Sequence, residues 1–564
     1  MKLRDLARAR GEGIDYQTVS FDYERCADQD AGTVVRHPVV VVGAGPVGMS
    51  LAIDLAQQGV RVVLLDADHK LSVGSRAICF AKRTLEIFDR LGCGDRMVAK
   101  GVSWNVGKVF FRNEQLYAFD LLPESGHERP AFINLQQYYV EGYLAERIAE
   151  LPLIELRWRH AVTAVQPHGD HVIVTVDTPE GPYTLHADYL IACDGSRSPV
   201  RHMIGQESHG RVFHDRFLIA DVKMHADFPP ERWFWFDPPF HPNRSVLLHR
   251  QPDDVWRIDF QLGWEADPDA AKQPENVIPL VKALLGPDVP FELEWVSVYT
   301  FSCLRMDRFR HGRVIFAGDA AHLVSPFGAR GANSGVQDAE NLAWKLAAVL
   351  RGQAGEALLD SYGTEREYAA DENIGHSTRA TDFITPKSEV SRLFRDAVLD
   401  LAKDHAFARR LVNSGRLSVP ATLRNSPLNT PDADPFEGHM VPGAPATDAA
   451  VTVDGRPTWL LRQLHGSRFA ALVFDAPDAP QRLAAVRDAA AGLAELDLLL
   501  VSNTVRRIEG ARCLIDTEGL LAQRYDGRAG TVYLLRPDQH VCARWREPSS
   551  ASVRAALRRA LALH

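Results

Sequence analysis

The run Val39-Val40-Val41-Val42, followed at once by Gly43-Ala44-Gly45-Pro46-Val47-Gly48, constrains this chain more than any other stretch. Four consecutive β-branched residues bounded by glycine read as a short strand buried on both faces, the mark of a parallel sheet. Gly43 permits the tight turn, Gly45 lets a pyrophosphate approach the backbone, and Gly48 lets the next helix pack closely on the strand. Pro46 and Val47 open that helix, whose N-terminal N–H groups and positive dipole end suit phosphate. The helix runs to about Gln58, and a second strand, Arg61–Leu65, ends at Asp66, which is placed to accept hydrogen bonds from a ribose. This βαβ unit predicts a dinucleotide and does not by itself say which one.

At 564 residues the chain has length for about three folded units. Residues 1–36 are polar and weakly patterned, an extension packed on, or trailing from, the first unit. The nucleotide-binding domain takes 37–205. Residues 206–305 are mainly an antiparallel sheet, rich in aromatic and β-branched residues, inserted before that domain resumes at 306–425 with helical segments to about Arg416. A Pro/Asn/Asp-rich linker spans 426–445, and 446–564 alternate strands and helices as a separate small α/β domain.

Several function classes drop out. The net charge of −9 argues against nucleic acid or an anionic membrane as partner. No run approaches the length of a membrane span, and the basic first residues lack a signal peptide's apolar core. Seven scattered cysteines without a C-x-x-C pair point to a reducing cytoplasm rather than to disulfides or structural zinc. Neither a metal-binding histidine motif nor a G-x-S-x-G elbow occurs.

Residues 39–66, Cys193-Asp194-Gly195-Ser196-Arg197-Ser198-Pro199-Val200-Arg201, and the stretch 313–346 (RVIFAGDAAHLVSPFGARGANSGVQDAENLAWKL) together resemble the class A flavoprotein monooxygenases. This is the para-hydroxybenzoate hydroxylase and phenol hydroxylase group, and the resemblance runs in order over about 38–400. The longer layout is most similar to the 3-(3-hydroxyphenyl)propionate hydroxylase-like branch. The resemblance implies an α/β fold: a Rossmann-like FAD-binding domain, an inserted antiparallel-sheet substrate domain, and a C-terminal thioredoxin-like domain without Cys-x-x-Cys. It further implies non-covalent FAD, NADH or NADPH as co-substrate, O₂, and hydroxylation of a small phenol through a flavin C4a-hydroperoxide. A homodimer is expected.

Residue by residue, the resemblance gives Asp319 the ribityl chain of FAD. It places Pro326, Gly328, Gly331, Ala332 and Asn333 in a turn whose N–H groups face the flavin N1 and C2 carbonyl, where a positive helix end suits an anionic reduced flavin. Pro326 falls beside the oxygen-reacting face. Asp194, Gly195 and Arg197 belong to a motif associated with FAD and the nicotinamide cofactor, and Arg197 and Arg201 suit a pyrophosphate. Arg76 is expected beside the flavin, and Gln136 in contact with it. Arg330 departs from the pattern, where relatives commonly carry glutamine; it either points away from the flavin or adds a fixed charge near it.

The substrate side rests on residue type alone. A flat apolar pocket with one or two polar anchors is what a phenol requires, and Trp235, Trp256 and Asp259 are candidates in the aromatic sheet. Arg257 is a candidate anchor for a substrate carboxylate and His249 a candidate relay for the phenolic proton. Two other readings compete: a flavin oxidoreductase of another class (oxidative decarboxylation, dehydrogenation or halogenation) and a non-catalytic flavin-binding module.

Overall fold

The computed structural model describes residues 1–6, 15–226, 228–412 and 417–563. Part of the N-terminal extension (7–14) and the end of the helical segment (413–416) lie outside the described residues. Five strands run parallel in the spatial order Ile154–Trp158, Val62–Asp66, Val35–Val42, Tyr183–Ala192 and Val314–Phe316. Val39, Val40 and Val41 are wholly buried, as the β-branched run predicts. The strand begins four residues earlier, because Val35–His37 also pair with Leu185–Ala187. Helices Pro46–Gln57 and Gly331–Leu350 pack on this sheet and on one another. Residues 15–30 are packed on it too: Phe21 stacks on Trp158 with ring centroids 4.6 Å apart, and the Tyr16 hydroxyl bonds Glu146.

The second sheet has eight strands, in the order 322–323, 292–306, 208–223, 255–261, 245–250, 232–236, 106–111 and 114–120. It therefore draws three strands, 106–111, 114–120 and 322–323, from the two segments that the sequence assigns to nucleotide binding. Trp233–Phe236 pair in parallel with Lys108–Phe111, so the sheet is mixed, with one parallel junction among antiparallel ones.

A third sheet, of seven strands, lies between Ala450 and Trp545, with helices Ala479–Ala490 and Ser550–Ala560. The 426–445 stretch contains no helix or strand, as its composition predicts, but it is not a free tether. Thr430 N–H donates to Cys542 O, Gly443 N–H to Val541 O and Leu423 N–H to Gly443 O, so the stretch is strapped along the edge strand Val541–Trp545. Edge strands leave unpaired backbone groups, and this strap satisfies them. Among the described residues no helix is long and apolar enough to cross a membrane.

Candidate active site

The four sequence motifs meet because each ends a neighbouring parallel strand. Gly43 follows the central strand, Asp66 ends the next, Asp194 and Gly195 follow a third, and Gly318 and Asp319 follow the fourth. Ligands of such sheets lie at this carboxyl edge. The three fingerprint glycines have separate reasons. A Cβ on Gly43 (φ +103°) would sit 2.4 Å from Cys193 O, and one on Gly48 would overlap the Gly43 carbonyl. A Cβ on Gly45 would meet nothing within 4 Å, so at Gly45 the backbone faces open space, the cradle a pyrophosphate needs. Asp66 accepts from Ala44 N–H (2.6 Å) and Asp68 N–H (2.8 Å), which fixes the carboxylate at the mouth of the turn. Asp194 accepts from Val200 N–H (3.0 Å), and its buried Oδ1 has no partner among the described residues. Arg197 is exposed, whereas Arg201 is buried and donates to Ala320 O (2.8 Å) and Ser196 O (2.9 Å). Arg201 thus braces the loop, and its expected share in pyrophosphate binding is withdrawn.

Asp319 is open to solvent yet ringed by protein, the situation of a side chain on the floor of a cleft. Burial raises its pKa against the charges of His322 and Arg76, so the exposed Arg76 is close enough to act on it. Gln136 donates to Pro252 O (3.1 Å), while its buried Oε1 has no partner among the described residues. Open backbone at Gly45 and unsatisfied acceptors at Asp194 and Gln136 fit a large polar cofactor such as FAD.

The turn into the long helix is tightly wound. Gly328 has φ +119° and Ala329 φ +53°, and Ala329 N–H closes the turn on Pro326 O at 2.9 Å. A non-glycine residue with positive φ costs about 1–3 kcal/mol and persists only where its surroundings impose it. Asn333 supplies that constraint, donating to Ala329 O (2.5 Å) and Cys79 O (2.9 Å) and accepting from Ala81 N–H (2.8 Å). Its side chain is committed to protein, so what Asn333 can offer a flavin is its backbone N–H. Gly331 and Ala332 add theirs in the first helical turn. Pro326 is exposed at the tip. Arg330 is buried, packs its stem beneath Gly328 and donates to Asn373 (3.1 Å), which settles it behind the turn.

Phe327 makes edge contacts with Phe217 (5.0 Å) and Phe301 (5.3 Å), so this turn rests directly on the second sheet. Side chains alternate across a sheet, and the alternation divides the sequence candidates. The face beneath Phe327 carries Phe217, Leu247, Phe234, His249, Arg257, Asp259 and Arg232. Trp235 and Trp256 point the other way, into the core against helix Pro274–Leu285. Both are withdrawn as substrate residues. Trp235 stacks on Phe110 at 5.0 Å, and Trp235→Phe is expected to lower stability by about 1 kcal/mol. It should leave affinity for aromatic ligands unchanged; weaker ligand binding with an unchanged melting temperature would restore Trp235 to the pocket.

Arg257 is also claimed. Its guanidinium pairs with both Asp221 oxygens (2.8 Å each) and donates to Ser75 O at 2.5 Å, so it ties the sheet to the segment bearing Arg76 and is not a free carboxylate anchor. His249 is buried, and burial with the charges of Arg232 and Arg257 drives its pKa well below the usual histidine value. It stays neutral and is a poor proton acceptor.

Residues 36–377, more than half of the chain, match the model of a family described as FAD binding domain. Two relatives are 3-(3-hydroxy-phenyl)propionate/3-hydroxycinnamic acid hydroxylases. That of Mycolicibacterium smegmatis is 31% identical over 64% of each chain, and that of Mycobacterium sp. (strain JLS) is 29% identical over 89% of this chain and 88% of the relative. A third, a probable NADH-specific resorcinol 4-hydroxylase of Rhodococcus jostii, is 34% identical over 58% of this chain and 62% of the relative. The chain belongs to the FAD-dependent aromatic monooxygenases. The solved structure of the flavin-dependent monooxygenase PieE with FAD and substrate superposes with a TM-score of 0.79 at 22% identity, covering 94% of this chain and all of that one, a likeness of fold.

Sequence reading passed over one buried carboxylate that holds the turn leading to Asp319. Asp338, fully buried on the long helix, accepts from Gly318 N–H (2.9 Å), His322 Nε2 (2.6 Å) and Arg366 Nε (2.6 Å). Burial works to raise its pKa, but the His322 and Arg366 charges override this and hold it below the usual carboxylate value. An aspartate on the apolar face of an amphipathic helix was the signal available. The cavity of about 350 Å³ bounded by Asp54, Glu86, Arg90, Asp448 and Arg462 contains none of these residues and is separate from the cleft.

Proposed function

We propose that this monooxygenase hydroxylates a small phenolic compound, with NADH or NADPH as electron source and O₂ as oxygen source, and that its substrate lies against the Phe217 face of the second sheet. One observation carries the reading: the Pro326–Asn333 turn, assigned to the flavin ring, packs through Phe327 on the sheet face that bears a row of buried polar groups. Ring and substrate are thereby neighbours. FAD, when bound, supplies electron acceptance from the nicotinamide and activation of oxygen. The chain's own residues do the rest. Gly45 and the helix beyond it hold phosphate, Asp66 and Asp319 hold the ribose and ribityl hydroxyls, and Arg76, Gln136 and Arg197 border the cofactor. Phe217, Phe301 and Phe327 keep water from the reacting ring. The named relatives favour a meta-substituted phenol such as a hydroxyphenylpropionate.

A screen of hydroxylated aromatic acids under ¹⁸O₂, following NADH and NADPH oxidation, tests this. One labelled oxygen in a hydroxylated product is expected. Substrate-dependent NAD(P)H oxidation with an unlabelled, decarboxylated or dehydrogenated product would move the chain to another flavin class. We further propose a cytoplasmic homodimer, supported by the exposed apolar residues Val390, Leu393, Phe394, Leu401, Phe407 and Leu411 on two neighbouring helices. A monomeric mass by light scattering would rule the dimer out.

A further inference from the structure

The polar row on the substrate face is unevenly satisfied. Trp233 pairs with Leu248, which sets Arg232 beside His249; His249 pairs with Arg257, and Arg257 with Asp221. Arg257 and Asp221 satisfy one another. Their neighbours do not. Arg232 is 8% exposed, and its Nη1 has no acceptor among the described residues. His249 Nδ1 and Asp259 Oδ1 likewise lack partners, and Asp259 Oδ2 stands 4.0 Å from His249 Nε2. A buried guanidinium nitrogen without an acceptor is costly, and its retention beside a cofactor cleft marks a place reserved for a ligand atom.

Charge and donor count define that atom. Arg232 and Arg257 balance Asp221 and Asp259, and His249 is neutral, so an added carboxylate would leave excess buried negative charge facing Asp259. The unmet needs are an acceptor for Arg232 and a donor for Asp259. A hydroxyl is both at once. Cys79, whose thiol burial pushes up to about 11, feels the charges of Arg232, Arg257 and Asp259 and lies on the strand whose backbone Asn333 grips, so the row reaches the flavin-side wall.

We propose that Arg232 and Asp259 together receive the phenolic hydroxyl of the substrate, Asp259 taking its proton and Arg232 holding the phenolate. The inference rests on the hydroxylase reading and names its base. The O–H bond breaks, the proton bonds to Asp259 Oδ1, and the electron pair stays on the phenol oxygen, which enriches the ring for attack by an electrophilic oxygen. Burial pushes the Asp259 carboxyl up to about 6, with Arg257 and Arg232 opposing that rise and Asp221 adding to it, so at neutral pH it is ionised and close to the range of an effective base. The groups facing it are Arg257 on its own strand, Asp221 and His249 on the two flanking strands, Arg232 on the strand beyond His249, and Cys79 on the strand Cys79–Ala81.

The test uses oxidised holoenzyme and 4-nitrophenol, whose phenolate absorbs where the phenol does not. Wild-type protein should bind it ionised at a pH where free 4-nitrophenol is protonated. In Arg232→Gln the bound probe should stay protonated at that pH, whereas in Asp259→Asn, where Arg232 is left facing it, the probe should still bind ionised. Turnover of the best phenol in Asp259→Asn should nonetheless fall by roughly 10²–10⁴-fold with KM little changed, because the group that removes its proton is gone. The wild-type turnover should also fall as pH drops through about 6, a limb that Asp259→Asn loses and Asp259→Glu restores. Arg232→Gln should weaken phenol binding about tenfold or more. Ionised probe or undiminished binding in Arg232→Gln, or undiminished turnover in Asp259→Asn, would overturn the assignment. So would 3-phenylpropionate binding as tightly as its hydroxylated counterpart and losing that affinity in Arg232→Gln, the behaviour of a carboxylate anchor. Ionisation of the probe as described, without any labelled oxygen in product, would uphold the pair and defeat the hydroxylase reading.

Discussion

Asp338→Ala is expected to yield folded but colourless protein, stripped of FAD and markedly less stable. The substitution leaves the Arg366 guanidinium buried without its counter-charge, a change that costs about 3–5 kcal/mol, and it orphans the Gly318 N–H as well. Gly318 has φ +62° and its Cα sits against Val47 and Gly335, so Arg201, through Ala320 O, holds the end of the turn while Asp338 holds its start. When it slackens, Asp319 loses its position on the cleft floor. Asp338→Asn keeps an acceptor for Gly318 and should fall between wild type and alanine. The contrast with Asp319→Ala is the sharper part of the prediction. Asp319 is solvent-exposed, so its removal should abolish FAD retention while leaving the melting temperature of the apoprotein unchanged. Absorbance of bound flavin and melting curves of apo and holo protein decide it; full flavin occupancy in Asp338→Ala would refute the anchoring role, and in Asp319→Ala the ribityl assignment.

The cofactor side of this molecule was legible in the sequence because its signals are local. Gly48 is forced by the Gly43 carbonyl five residues earlier and Gly43 by its φ of +103° at a strand end, and a β-branched run followed by such a turn has few alternative folds. The substrate side was not legible, for a reason visible in Trp235 and Arg232. They are three residues apart on one strand, and a period of two sends them to opposite faces. Which face lies beneath the Phe327 turn depends on where that turn and helix Pro274–Leu285 dock, a tertiary matter that no local pattern encodes. Arg257 and Arg232 likewise look equivalent as letters. Only the partner across the strand, Asp221 for Arg257 and none among the described residues for Arg232 Nη1, separates a structural ion pair from a candidate ligand group. Asp338 was hidden differently, since its partners Gly318 and Arg366 lie 20 and 28 residues away.

Arg536→Met should unfold the protein more readily at pH 8 than at pH 5. Arg536 lies on the loop between the last two strands of the seven-stranded sheet and is fully buried. It bonds Glu365 (2.5 and 3.0 Å) on helix Ala357–Ile384 and Asp538 (2.9 and 2.5 Å) beside it. Lys345 on the long helix donates to Glu365 at 2.7 Å, and Asn341 spans Glu365 and Asp538. Burial works to raise both carboxyl groups, and the Arg536 charge overrides it, holding both below the usual range. Removing the guanidinium leaves two buried carboxylates facing Lys345 and His540, a loss of about 3–5 kcal/mol at neutral pH. The sign then reverses. In wild type the depressed pKa values give stability that is present above the unfolded values near ~4 and lost below them. In the variant those pKa values rise above the unfolded ones, so the folded state takes up protons first and recovers stability as pH falls towards 5. Urea melts of both proteins at the two pH values read this directly, and a deficit that is equal at both would mean that packing, not charge, holds the loop. Because Lys345 and Asn341 share a helix with Gly331 and Asn333, the variant should also bind FAD more weakly, which makes this buried cluster a link between the C-terminal unit and the flavin turn.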